Sequence, residues 1–167
     1  MKEFISPGLI SYIVKYNLDD LSFDCQLDRP IQSVAPTLQH LFPPEREDFI
    51  TLKSPHEGAF IQLFFRDDEI IASLSGRFRM KYEDIAVPQI LDAGETRFVF
   101  EQPQRQFSFR GNPRQQMVEI VLDDSESHIS FFRYAANVTM GVHEGTVRRL
   151  LFRDVAFIGR DRDIRGI

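Results

Sequence analysis

The sequence predicts a mainly β protein, an antiparallel β-sandwich or flattened β-barrel of about seven to nine strands, with a less regular N-terminal segment carrying one or two short helices. Three observations lead there. Beyond residue 58 the hydrophobic period is two, turn residues recur at strand-length intervals, and the aromatic load is 16 Phe with 4 Tyr and no Trp. Phe has no polar handle to show to water, so this load reads as core filling. At 167 residues and 43% hydrophobic side chains, the chain can bury one sizeable core. The organisation reads as a single domain, with an irregular layer at 1–58, a β core at 59–158 and a polar tail at 159–167.

In chain order, Ser6-Pro7-Gly8 suits a helix start, and Leu9, Ile10, Ile13 and Val14 share a helical stripe. A strand through Leu9–Tyr16 competes, because Ile, Tyr and Val favour strands. Pro30, Pro36 and Pro43-Pro44 punctuate residues 17–58, where a short helix near Thr37–Phe42 and surface loops are expected. From Ala59 the pattern sharpens. Ala59, Ile61, Leu63 and Phe65 line one face, and Ile70, Ala72, Leu74, Gly76, Phe78, Met80 and Tyr82 share one parity. Asp67-Asp68 turns between them, and Gly76 is the expected bend or bulge. Phe60 and Phe64 point to the opposite face, so this strand is either covered on both sides or exposes apolar surface. Glu83–Ala93 reads as a crossover or helical turn ended by Gly94.

Phe98 and Phe100 then face Phe107 and Phe109 across Gln102-Pro103-Gln104, which reads as a second hairpin. Gly111-Asn112-Pro113 is a turn, and Val118, Ile120 and Leu122 run into the polar cluster Asp123–Ser127. Ile129–Tyr134, Asn137–Met140, Val147–Phe152 and Val155–Ile158 complete the strands, although Val147, Leu150, Leu151 and Val155 also fit a helical stripe.

The net charge is −5, but it is uneven: residues 1–144 carry −8 and residues 145–167 carry +3. An acidic chain does not attract phosphate backbones at long range, so nucleic acid is not the expected partner. Sixteen of the 20 basic residues are Arg, which pairs with carboxylates in planar bidentate fashion, within a sheet or across an interface. Cys25 is alone, so it forms no intrachain disulfide and supports no cysteine zinc site. No apolar run approaches the ~20 residues of a membrane helix. A cytoplasmic, soluble protein is expected.

Motif tests return little. His143-Glu144 lacks the second His of a zincin helix, since position 147 is Val. The Asp161–Gly166 stretch interleaves two carboxylates with two cations and has no terminal Glu, unlike a calcium loop. There is no Gly-x-Ser-x-Gly elbow and no glycine-rich phosphate loop. No metal ligand, catalytic residue or cofactor is assigned.

By elimination the sequence points to a non-enzymatic protein-binding module, for example an inhibitor or immunity-type protein neutralising a basic partner. Asp67, Asp68, Asp123, Asp124 and Glu126 would steer such a partner. Arg148, Arg149 and Arg153 would form a docking strip for an acidic surface, or pair within a sheet. Two other readings remain: a structural subunit of a viral or tail-like assembly, and a β-sandwich hydrolase, lyase or apolar-ligand carrier.

Overall fold

The computed structural model describes residues 2–28, 48–54, 59–66, 69–103, 106–124 and 128–159. Fifteen strands occur among them: β1 (Lys2–Ile5), β2 (Tyr12–Asn17), β3 (Ser22–Leu27), β4 (Asp48–Lys53), β5 (Phe60–Phe65), β6 (Ile71–Arg77), β7 (Lys81–Tyr82) and β8 (Ile90–Asp92), then β9 (Arg97–Phe100), β10 (Ser108–Asn112), β11 (Met117–Val121), β12 (Ser130–Ala135), β13 (Val138–His143), β14 (Thr146–Phe152) and β15 (Ala156–Ile158). No helix occurs among the described residues. The chain is thus mainly β, as expected, but the strands outnumber the seven to nine read from the sequence.

They form two open, mixed sheets. The nine-stranded sheet runs β7-β10-β11-β14-β13-β12-β8, with β9 beside the start of β14 and β1 on β9. The six-stranded sheet runs β15-β2-β3-β6-β5-β4. Most neighbours are antiparallel, but β10·β7, β12·β8, β14·β9 and β15·β2 are parallel, which corrects the all-antiparallel expectation. β7, β8 and β15 are only two or three residues long, too short to show an alternation that a sequence reading can detect.

The N-terminal expectation also changes. Residues 2–27 supply β1, β2 and β3 to the sheets instead of a helix-bearing layer over them. In β2, Tyr12, Val14 and Tyr16 are buried while Ile13 and Lys15 are exposed, so period two won over the helical stripe. The helix expected near Thr37–Phe42 lies outside the described residues.

The sheets face each other across one hydrophobic cluster that draws on both. Phe4 is a hub, with ring centroids 4.7 Å from Phe100, 5.5 Å from Phe98 and 5.6 Å from Phe65. Phe78 of the six-stranded side stacks on Phe109 at 4.0 Å, and Phe23 meets Phe152 at 4.9 Å. Hence Phe98 and Phe100 do not form a hairpin with Phe107 and Phe109. All four are buried, but β9 pairs with β1 and β14, and β10 pairs with β11 and β7. Shared burial of alternate Phe residues fixes which way they point and leaves their strand partners open.

The strand after β5 carries an irregularity at a different place from Gly76. Phe64 is opposite Ser73 while Phe65 is opposite Ile71, so Ala72 is the extra residue. Ile71 takes the core place that alternation gave to Ala72. Gly76 instead sits in regular ladder, where an added Cβ would stand 2.9 Å from the Phe60 carbonyl oxygen and 3.0 Å from Ile61. It permits close packing.

Beyond the bulge, β3 reaches β6 only as far as Gln26↔Ser73, so no strand serves Ile71 on that side. Two buried tyrosines do. The Tyr12 hydroxyl donates to the Ile71 carbonyl at 2.6 Å, and the Ile71 N–H donates to the Tyr134 hydroxyl at 3.1 Å. Asn137, in the turn before β13, accepts from Tyr12 N–H and donates to its carbonyl, both at 2.8 Å. Tyr134 and Asn137 belong to the nine-stranded side, so these bonds tie the sheets together.

Residues 83–89 join opposite edges of the nine-stranded sheet, from β7 to β8. Eight residue steps at ~3.3–3.6 Å span roughly 26–29 Å, and six strand spacings of ~4.8 Å require roughly 29 Å. The segment is therefore an extended strap across the outer face. It is the crossover read from the sequence, without a helical turn. Ile85 is buried with Met117 and Leu151, and Gln115 fixes it by accepting from Ile85 N–H at 2.9 Å and donating to its carbonyl at 3.0 Å.

Replacing Tyr134 by Phe keeps the ring but leaves the buried Ile71 N–H without an acceptor. We expect Tyr134→Phe to lower unfolding free energy by about 1–3 kcal/mol in urea titration. Asp20, in the β2–β3 turn, accepts from the side chain and N–H of Ser22, which holds its carboxyl below the usual aspartate range. That contribution is present above the unfolded carboxylate pKa and fades as pH falls through the lower folded value. NMR titration of Ser22→Ala should show the Asp20 midpoint moved back upward.

Candidate functional site

Ladder register sets the outer face of the nine-stranded sheet. One row reads Arg110, Glu119, Leu151, Thr139, Arg133 and Asp92 from β10 to β8. Glu119 is buried and takes a charge-assisted bond from Arg110, with Arg149 Nη1 at 3.8 Å and Glu83 at 3.5 Å from Arg110. Burial works against the Arg110 charge, but Glu119 and Glu83 outweigh it and lift its pKa further. Thr139 is fully buried on this face and Gly141 has no room for a Cβ, with Phe131 and Ile129 at 2.9 Å from that position. The middle of this face is filled by Ile85 and its own side chains, while Arg133 and Asp92 at the β12–β8 end are exposed.

Four of the eight candidate binding residues have partners within the chain. Arg148 Nη1 lies 3.3 Å from Asp123, Arg149 leans on Glu119, and Arg153 donates to the Ala136 carbonyl at 3.0 Å. Arg148, Arg149 and Arg153 are each half-buried beside a group of their own chain. Asp124 is exposed beyond the end of β11. Asp67, Asp68 and Glu126 lie outside the described residues.

The six-stranded sheet presents the opposite character. Its inner positions are apolar, and its outer rows read Lys15, Asp24, Ser75, Gln62, Thr51 and Ile13, Gln26, Ser73, Phe64, Phe49. A third row sets Arg77 beside Phe60 and Lys53. Small polar side chains occupy the middle, with apolar groups at both ends: Phe49 is 59% exposed and Ile13 48%. Phe49 stacks on Phe64 at 5.8 Å. An antiparallel sheet commonly packs one face and leaves the other wet, but large exposed apolar groups are not the usual wet-face choice. The sequence exposed half of this signal in Phe60 and Phe64. The other half, the alternation of Asp48-Phe49-Ile50-Thr51-Leu52-Lys53, sits in a region whose prolines mask it.

Catalytic groupings are sparse. Among the described residues no three His, Cys, Asp or Glu gather as a metal-holding set. His143 Nδ1 lies 3.0 Å from the His128 carbonyl, so this nitrogen carries the proton. Cys25 is buried, and burial pushes its thiol well above the usual range, so it is a core side chain and not a nucleophile at neutral pH. A void of about 10 Å³ separates the sheets near Tyr12, Cys25, Met140 and Phe152, the space of one water at most. No helix among the described residues is long and apolar enough to cross a membrane.

The Glu119 cluster is a structural charge network with a definite energetic signature. Glu119→Gln should destabilise by about 2 kcal/mol, because Arg110 and Arg149 stay partly desolvated without the buried carboxylate, with only Glu83 left beside Arg110. The double change Glu119→Leu with Arg110→Met should recover most of that loss in the same denaturation assay. No protein-family model, curated protein or solved structure matches this chain.

Proposed function

We propose that the chain is a non-enzymatic protein-binding module that meets its partner through the outer face of the six-stranded sheet. The observation that carries this is the contrast between the two outer faces. One is partly covered by the 83–89 segment, and its arginines are engaged in ion pairs within the chain. The other is a flat field of Ser, Gln and Thr ended by exposed Phe49 and Ile13. Aromatic anchors beside adaptable polar groups are the composition of protein contact surfaces.

Local charge refines the expected partner. The rows of this face hold Lys15, Lys53 and Arg77 against Asp24, although the chain as a whole is acidic. A surface bearing carboxylates fits it better than the basic partner suggested by net charge. The described acidic candidate Asp123 is engaged by Arg148, which further weakens steering of a basic partner by that loop.

Affinity capture from the native host with intact-mass measurement tests the reading. The parent chain and Ser130→Glu, a change on the other sheet, should recover one protein in stoichiometric amount. Ser75→Glu, in the middle of the face, should weaken recovery about tenfold or more through like-charge repulsion. Equal recovery by Ser75→Glu, or recovery of no partner by the parent chain, overturns the assignment.

A further inference from the structure

We propose that β4 is a dimerisation edge: two copies of this chain join their six-stranded sheets by antiparallel pairing of Asp48–Lys53 about a two-fold axis at Ile50. The five outer edges of the two sheets are unlike: β1, on its side away from β9, offers four residues, among them the charged Lys2 and Glu3. β7, β8 and β15 offer two or three residues each, a common way to blunt an edge. β4 offers six, without a charge along its middle, and carries the exposed Phe49.

Backbone directions on β4 follow from two observations. Ser54 N–H donates to the Ala59 carbonyl, and Lys53 is opposite Phe60, so the polar groups of Lys53 turn away from β5. There the Gln102 side chain takes both, donating to the Lys53 carbonyl at 2.7 Å and accepting from its N–H at 3.4 Å. Period two gives Thr51 and Phe49 the same outward direction. Among the described residues nothing takes their N–H and C=O groups.

Two outward-facing residues spaced by two are self-complementary. Under a two-fold axis at Ile50, Phe49 of each copy exchanges both bonds with Thr51 of the other, and every free group on the edge is used. The pair closes, since Gln102 stops the ladder at Lys53. The two Phe49 rings become diagonal neighbours at ~7–8 Å, extending the Phe49–Phe64 stack across the axis. Six residues of edge cover less than the ~1,200 Å² of a permanent complex, so the pair is reversible. It leaves both outer faces open, and it does not rest on the face-binding reading.

Sedimentation of the full chain from low micromolar to near-millimolar concentration reads the outcome. The mass should rise from 19.4 kDa to twice that value. Thr51→Pro removes an N–H that β5 does not use, so it should keep the parent's circular dichroism while weakening the dimer about tenfold or more. Independently of that variant, Ile50→Cys should cross-link under mild oxidant, because Ile50 faces itself as a non-hydrogen-bonded pair with Cα atoms ~4.5 Å apart. Lys53→Cys should not cross-link, and buried Cys25 stays out of the exchange. A monomer at every concentration, an undiminished Thr51→Pro dimer, or cross-linking at 53 but not 50 each overturns the proposal. So does a monomeric parent whose host partner is lost with Thr51→Pro, which would assign the edge to a different protein.

Discussion

Hydrophobic burial draws two apolar sheet faces together but does not say where they must stop, because it has no direction. In this protein a few buried hydrogen bonds supply the missing position. Tyr12, Tyr134 and Asn137 satisfy backbone groups that the ladder leaves open, and Tyr134 and Asn137 do so from one sheet to the other. An unpaired buried N–H or C=O is costly enough that any sliding of the sheets is penalised at several points at once. The bulge at Ala72 is the origin of the arrangement. It turns Ile71 into the core and leaves its polar groups facing the two tyrosines.

The nine-stranded sheet shows how a charged row is tolerated beneath cover. Glu119 takes its partners from adjacent strands, and the strap lies over the same face, with Ile85 resting on Met117 and Leu151. Of the arginines that look like a binding strip in the sequence, Arg149 joins this network, while Arg148 pairs with Asp123 and Arg153 bonds the Ala136 carbonyl. The six-stranded sheet has no equivalent cover among the described residues, and its outer rows are mainly small polar side chains ended by exposed Phe49 and Ile13.

The sequence revealed direction better than partnership. Alternation placed Ile61, Leu63, Phe65, Leu74, Phe78, Val118 and Ile120 in the core correctly, because period two reports which face each residue occupies. It could not report that β9 joins β1, ninety-odd positions away, since strand pairing is decided by the whole core. Nor did it anticipate Ala72 as the inserted residue, since Gly76 was the better local signal for a bulge. For the site, the gap has one physical cause. Side-chain charge in a sequence carries no record of what will stand opposite, so Arg148 and Asp123 read as two surfaces when they are one ion pair. The exposed end of the other sheet went unread because its strand lies in a proline-rich stretch.

The strap has a consequence for the timing of folding. Residues 83–89 leave the ribosome before β11 and β14, whose Met117 and Leu151 bury Ile85. Asn112, Gln115 and Met117 can hold the segment once β10 and β11 exist, but the Ile85 contact is complete only when β14 adds Leu151. Final docking of the segment therefore follows synthesis of the last long strand, and until then the growing chain carries Ile85 only partly covered.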